Sequence, residues 1–436
     1  MNIISIGLIG FGTIGSGVVK LLTEAGRDLK RRLGFELRLK KIADVDLKRV
    51  RPVSVPAAML TPDPMEIVND PEIDIVIELI GGCEPAGEII KAALRRKKHV
   101  VTANKALLAE CGDELWHLAR QEHCDIGFEA SVGGTIPIIK TIRESLVANE
   151  IEHLMAIMNG TTNYVLTKMT DESREFGEVL AEAQRLGFAE ADPSFDIDGK
   201  DTAHKLAIVL SLAYGGTVRL SDFYCEGIRG ISHQDIEFAR ELGYRVKLLA
   251  IAFKRGEKVE ARIHPTMIPM DHLLASVGSN YNAFYIVGSA SGPIFLFGQG
   301  AGMMPTASAV VGDVVDIAKR MMRGGKKGLS PGAGELMLQP LDLIPFDEIC
   351  TNYYFRFMAA DRAGVLSKIS GILGNHNISI ASVIQKGRKK DGAVPIVMVT
   401  HEARERDVKE ALKKIERLEV VHERVKVIRI EDERLK

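Results

Sequence analysis

The chain has 436 residues, 46% of them apolar and 26% charged, with a net charge of −1. This is ordinary globular composition, and roughly 100–200 residues per domain gives two to four domains. The balanced charge supplies no overall field for nucleic acid or an anionic membrane surface. No apolar run reaches the roughly 18 residues a spanning helix needs, and MNIISIGLIGFG lacks the basic segment that opens a secretory leader. Cys83, Cys111, Cys124, Cys225 and Cys350 are scattered with no CxxC, which argues for reduced thiols in a cytoplasm and against a zinc or disulfide framework.

Residues 1–132 predict a nucleotide-binding domain. Asn2 to Ile9 read as an apolar strand, GFGTIG follows at once (Gly10, Phe11, Gly12, Thr13, Ile14, Gly15), and SGVVKLLTEAG reads as a helix. A bare GxGxxG says little; between a strand and a helix it says much more. The first glycine makes a tight turn, the second admits a pyrophosphate to the backbone, and the third lets helix and strand pack closely. The helix N-terminus then offers free N–H groups and a positive dipole end to the phosphates. FELRLKKIAD predicts a second strand ending at Asp44, placed to bond ribose hydroxyls, which favours NAD. Lys48, Arg49 and Arg51 follow closely and suit the extra phosphate of NADP, so the sequence leaves both cofactors open.

IDIVIEL, EPAGEIIKAALRRKK, HVVTAN, KALLAECGDELWHLARQEH and CDIGFEA continue as alternating strands and helices. That pattern predicts an α/β fold with a doubly wound parallel sheet of Rossmann type and right-handed crossovers. Its ligand crevice, at the carboxyl ends of the strands, should collect Gly81-Gly82, Thr102 to Lys105 and Glu129 to Ser131. Lys105, directly after a strand end, should point into it.

Residues 133–304 predict an α+β domain for substrate binding and dimerisation. GGTIPIIKTIRESL reads as a helix after a glycine pair, and IEHLMAIMNGTTNY as a strand and polar turn. YRVKLLAIAF, EARIHP, NAFYIVGSA and IFLFG suit a mixed or antiparallel sheet with helices on one face. Between them runs AQRLGFAEADPSFDIDGKDTAHK, an acid-rich loop with Glu190, Asp192, Asp196, Asp198 and Asp201 that feeds an apolar helix from about Asp201. Lys205 lies four residues beyond Asp201, on the same helical face. A lysine at the edge of an apolar helix is open to desolvation, which lowers its pKa and suits proton transfer. GQGAGMMPTASAVVGDVVDIAKRM, with Gly302 ahead of a helix, reads as the chain returning to complete the nucleotide domain at about 305–325.

GFGTIGSGVV, VTANKALLA, EASVGGTIPII, NGTTNY and AQRLGFAEADPSFDIDGKDTAHK together resemble the homoserine dehydrogenase family over most of residues 1–325. The resemblance implies interconversion of L-homoserine and L-aspartate 4-semialdehyde with NAD or NADP, on the route to threonine and methionine. It implies Lys205 as general acid toward the carbonyl oxygen, Asp201 as a catalytic-site acid, and Lys105 facing cofactor and substrate. It assigns Glu190 and Asp196 to the substrate ammonium, Gly160 and Thr161 to substrate contacts, and Gly302 to the cofactor. Glu129, Val132, Gly134 and Ile136 match a loop that holds a monovalent cation, often sodium. Cys83 stands where a hydroxyl residue is expected.

Residues 326–350, rich in glycine and proline, read as a linker. Residues 351–436 follow as βαββαβ, the ferredoxin-like arrangement, and DRAGVLSKISGILGNHNISI resembles an ACT domain. That resemblance implies binding of a small amino acid near Ala360 to Leu366 and Asn375 to Ile378, feedback by L-threonine, and a homodimer or homotetramer. Two other readings are a cofactor-bound sensor that has lost catalysis and a dehydrogenase for another amino acid. The intact set Lys105, Glu190, Asp196, Asp201 and Lys205 speaks against the sensor.

Overall fold

The computed structural model describes residues 3–323, 339–386 and 392–432. Met1, Asn2, residues 324–338 (which include 326–338 of the predicted linker), residues 387–391 and the last four residues of the tail lie outside them. The chain forms two compact units, each discontinuous in sequence.

The first unit comprises Met1–Glu152, Ala203–Asp222 and Asn282–Leu341. Its sheet contains β1 (Ile3–Ile9), β2 (Glu36–Ala43), β3 (Leu60–Thr61), β4 (Ile75–Glu78), β5 (His99–Thr102) and β6 (Ile126–Gly127), in the order β3-β2-β1-β4-β5-β6. Every pairing is parallel. A parallel sheet covered on both faces needs strands that are apolar throughout. Accordingly Ile6, Leu8, Ile42, Ile75, Ile77 and Val101 are fully enclosed, each burial contributing roughly 1.5–3 kcal/mol. The helices Thr13–Glu24 and Met303–Met322 pack together although more than half of the chain separates them. Gly17 permits this, since a Cβ there would lie 2.8 Å from the Met303 carbonyl oxygen. The chain thus returns to the nucleotide sheet as the sequence predicts. Strand order reverses between β1 and β4, and such a reversal opens the crevice in which these sheets bind ligands.

The second unit comprises His153–Thr202, Phe223–Tyr281 and Asp342–Lys436. β7 (Ile151–Ile157) pairs antiparallel with β9 (Tyr244–Arg255), which follows the short β8 (Tyr224–Cys225) in the chain. β9 forms a long hairpin with β10 (Lys258–Pro269). The hairpin of β11 (Tyr281–Gly288) and β12 (Gly292–Gln299) belongs, apart from Tyr281, to the first unit and leads along the chain to Met303. The tail supplies β13 (Cys350–Ala360), β14 (Ile380–Gln385), β15 (Ala393–Thr400), β16 (Ala403–Arg404) and β17 (Lys426–Ile430). Its sheet runs β17-β13-β15-β14, with the helices Val365–Asn375 and Glu405–Ile415 packed on a core of Tyr353, Phe355, Phe357, Ile369, Met398 and Val408. This is the predicted βαββαβ module. β17 also pairs in parallel with β10, through Thr266–Arg429 and Met267–Ile430, so the tail extends the sheet begun by β7, β9 and β10.

One local expectation is corrected. NGTTNY is not a polar turn: Asn159 accepts the Thr162 N–H (2.8 Å) and starts the buried helix Gly160–Glu172. A side-chain cap of this kind satisfies a helix-start N–H. In GGTIPIIKTIRESL a helix does follow the glycine pair, as Ile138–Lys140 continued by a π-helix at Thr141–Ser145. Gly133 and Gly134 there adopt φ of +73° and +60°, outside helical space.

Candidate active site

In the first unit the glycine loop has the shape its three glycines demand. Gly10 sits at φ +102°, and a Cβ on it would lie 2.7 Å from the Leu79 carbonyl carbon. A Cβ on Gly15 would collide with the Gly10 carbonyl, whereas one on Gly12 would meet nothing within 4 Å. Gly12 also precedes a helix that no side chain caps. Open space above Gly12 and uncapped N–H groups beyond it fit a dinucleotide pyrophosphate. Phe11, Thr13 and Ile14 complete the loop.

Asp44, at the end of β2, accepts the Phe11 N–H (2.6 Å) and the Asp46 N–H (2.8 Å), so its carboxylate clips the glycine loop to the strand end. Arg51 does not reach outward. It lies 3.3 Å from Asp44, donates to the carbonyls of Phe11, Asp46 and Arg49, and covers the Phe11 ring at 4.6 Å. The exposed cations beside Asp44 are Lys48 and Arg49.

Glu78 carries a role that sequence reading missed. Fully buried at the end of β4, it accepts from Ile80 N–H (2.8 Å), Gly81 N–H (3.1 Å) and the Thr102 hydroxyl (2.6 Å). One carboxylate therefore fixes both the 80–82 loop and the end of β5. Its signal was an acid closing an otherwise apolar strand. Asn104 continues the brace, donating to the Gly82 carbonyl (2.6 Å) and capping the helix Lys105–Gln121. Lys105 is half-buried in the first position of that helix. The Cys83 thiol lies 3.4 Å from Glu110, and burial together with that carboxylate pushes its pKa up to about 11, far from a reactive thiolate.

Glu129 is buried, and its two carboxylate oxygens accept the N–H groups of Ile139 (2.8 Å) and Lys140 (2.9 Å). Asp313 in turn accepts the Glu129 N–H (2.8 Å). Burial, reinforced by Asp313, pushes the Glu129 carboxyl up to about 7. Val132, Gly134 and Ile136 follow in the same loop; the Ile136 carbonyl accepts the Ile138 N–H (2.8 Å). Gly302, at φ +125°, precedes the helix Met303–Met322. Among the described residues no three His, Cys, Asp or Glu side chains gather as a metal cluster.

Lys205 belongs to the helix Lys200–Tyr214 and is only 9% exposed. Its neighbour His204 is buried with Nε2 3.2 Å from Glu110. A cationic side chain enclosed this far is held for a purpose or paired.

In the second unit, Asp196 and Asp201 are brought together by one side chain. The Asn159 amide nitrogen donates to Asp196 (2.7 Å) and to Asp201 (2.8 Å), while its oxygen caps the helix Gly160–Glu172. Asp201 is 4% exposed, one helical turn before Lys205. The Thr161 hydroxyl lies 2.6 Å from the Phe188 carbonyl and 3.1 Å from Asp196. Gly160 packs against Asn280, leaving 2.6 Å between a Cβ and that carbonyl oxygen. Glu190 lies outside this cluster, exposed on the loop before it, with its carbonyl held by Gln184 (3.0 Å). Asn159 is the second functional residue that sequence reading missed; an asparagine ahead of Gly-Thr-Thr is a helix-cap signal.

The strand order, the glycine loop and the uncapped helix behind it define the first unit as the cofactor domain of a nicotinamide-dependent dehydrogenase. Family models match at residues 10–129 (homoserine dehydrogenase, NAD binding domain), 137–315 (homoserine dehydrogenase) and 353–420 (ACT domain). A homoserine dehydrogenase from a Synechocystis species is 45% identical over 433 residues, covering 98% of this chain and 99% of its own. The crystal structure of a homoserine dehydrogenase from Thiobacillus denitrificans superposes with a TM-score of 0.93 at 42% identity, covering 100% of this chain and 99% of that one. A hyperthermophilic archaeal homoserine dehydrogenase in complex with NADPH matches at TM-score 0.62 and 29% identity, over 72% of this chain and 98% of that one. The chain belongs to the homoserine dehydrogenase family and carries a C-terminal ACT domain.

Proposed function

We propose that the chain interconverts L-homoserine and L-aspartate 4-semialdehyde with NAD or NADP. The observation that carries this reading is the Asp196–Asn159–Asp201 cluster, with an enclosed lysine one turn further along the same helix. Bound at the glycine loop, the nicotinamide cofactor supplies or accepts the hydride. In the reducing direction negative charge grows on the aldehyde oxygen. Lys205 as an ammonium stabilises that charge and delivers the proton; in the oxidising direction it takes the proton back. Lys105 faces both ligands.

Glu190 and Asp196 take the substrate ammonium, and Thr161 with the local backbone at Gly160 offers donors to the substrate carboxylate. An ionised carboxylate has about four acceptor sites, so Asp196 retains capacity after Asn159 and Thr161. Asp201 orients the first turn of the lysine helix. A monovalent cation such as sodium is held by the Glu129 carboxylate and the carbonyls of Val132, Gly134 and Ile136, neutralising a buried charge. The tail binds L-threonine at Ala360 to Leu366 and Asn375 to Ile378 and lowers activity. The working form is a cytoplasmic homodimer or homotetramer acting without nucleic acid or membrane. No helix among the described residues is long and apolar enough to cross a membrane.

The test is oxidation of L-homoserine by the purified chain, followed by nicotinamide absorbance with each cofactor, with and without L-threonine. Homoserine-dependent reduction of NAD or NADP is expected. No reduction of either defeats the reading.

A further inference from the structure

A cleft of about 520 Å³ lies in the second unit where β17 meets the segment Tyr224 to Gly230. Arg356, Lys409, Arg424, Lys426 and Arg429 line it, against two carboxylates, Glu226 and Glu405. Three of these cations are paired. Arg429 lies 2.7 Å from Glu405, Arg356 2.7 Å from Asp235 and Lys409 2.6 Å from Asp347. Lys426 and Arg424 have no hydrogen-bond or ion-pair partner among the described residues.

Lys426 sits directly opposite Arg356 across the β13–β17 ladder, and like charges so placed destabilise a sheet. Its ammonium is lodged against Gly230, where a Cβ would lie 2.9 Å from Nζ. Burial chiefly, aided by Arg356 and Arg429 and opposed by Glu226 and Asp235, pulls the Lys426 ammonium below the usual lysine range. A half-buried ammonium with no acceptor and a like charge opposite is costly. An anion in the cleft relieves both.

We propose that this cleft binds a small anion bearing a carboxylate or phosphate group, with Lys426 and Arg424 as its charge partners. The volume suits a metabolite-sized ligand. None of residues 360–366 or 375–378 lines the cleft, so the site is separate from the loops assigned to threonine. It also stands independently of the dehydrogenase reading.

The test uses the full chain saturated with NAD or NADP, so that the glycine loop is filled. Inorganic phosphate and malonate are titrated separately by calorimetry, with ionic strength held constant by chloride. Saturable binding of at least one is expected, weakened about tenfold or more in Lys426→Gln and in Arg424→Gln, as for loss of a charge-assisted hydrogen bond. Binding of phosphate but not malonate identifies a phosphate-bearing ligand, and the reverse a carboxylate. Arg424 is exposed, so its variant folds even where Lys426→Gln does not. No saturable binding of either probe, or unchanged binding in Arg424→Gln, overturns the proposal.

Discussion

Arg429 Nη1 lies 3.0 Å from Glu226 Oε2, tying the last strand of the tail module to the segment that backs the acid cluster. That segment is firmly seated. Glu226 N–H donates to Ile263 (2.8 Å) and Ile228 N–H to Ile197 (2.8 Å), while Gly227 presses so closely on Ile197 that no side chain fits between them. Arg229 reaches Asp198 and Ser194. A continuous set of contacts therefore runs from β17 to the turn between Asp196 and Asp201. We expect Glu226→Gln to fold and to keep kcat near the parent value. Its KM for homoserine should rise by about threefold to tenfold, the worth of one hydrogen bond in positioning. An unchanged KM would mean that this contact does not support the acid turn.

Asn159 is expected to separate binding from stability. Asn159→Ala removes both the bridge between Asp196 and Asp201 and a helix cap, and the cap alone is worth about 0.5–2 kcal/mol. Asn159→Ser keeps a capping oxygen and loses the amide donors. The serine variant should therefore melt close to the parent and still show a raised homoserine KM, whereas the alanine variant loses on both counts. Equal KM values for the serine variant and the parent would remove Asn159 from substrate positioning.

For Lys205→Ala we expect turnover to fall by roughly 10²–10⁴-fold, the usual reach of general acid–base catalysis. Cofactor affinity, measured by fluorescence titration, should stay near that of the parent. A variant retaining a tenth or more of parental turnover would show that another group moves the proton.

Glu129 sets a pH dependence whose sign can be worked out. Its folded carboxyl titrates at about 7, above the ordinary value of 4.5. Between these values the unfolded chain has released the proton and the folded chain still holds it, so this group's contribution to stability falls as pH rises through the window. A bound cation favours the ionised form and opposes that loss. Sodium should therefore raise the melting temperature at pH 8 relative to tetramethylammonium at equal ionic strength, and not at pH 5. Equal melting temperatures in the two salts at pH 8 would argue against a cation at Glu129.

What was legible in the sequence was what short-range chemistry decides. Gly10, Gly12 and Gly15 follow from turn geometry and phosphate access, and the alternation of apolar strands and helices pointed to a doubly wound parallel sheet. Asp201 and Lys205 were readable because one helical turn separates them. Long-range partners were not readable. Arg51 looked available for a phosphate until its donors proved to be taken by Asp44 and three backbone carbonyls. NGTT serves a turn or a capped helix start equally well by local chemistry, whereas the Asp196 and Asp201 partners of Asn159 lie 37 and 42 residues away. Glu78 acts through groups that β5 and the 80–82 loop bring to it.

Arg262 lies on β10 with no exposure and is held between Glu260 and Glu431, the latter contributed by the tail. Cutting the chain ahead of Cys350 would remove Glu431, one of that guanidinium's two carboxylate partners, and uncover the other. It would also bare part of β10 as an open, adhesive border. Removing the ACT domain is thus a poor way to ask whether an effector works through it. A truncated enzyme that no longer responds would report damage to the rest of the second unit as readily as loss of an effector site, and single-residue changes on the tail's outer loops are the cleaner question.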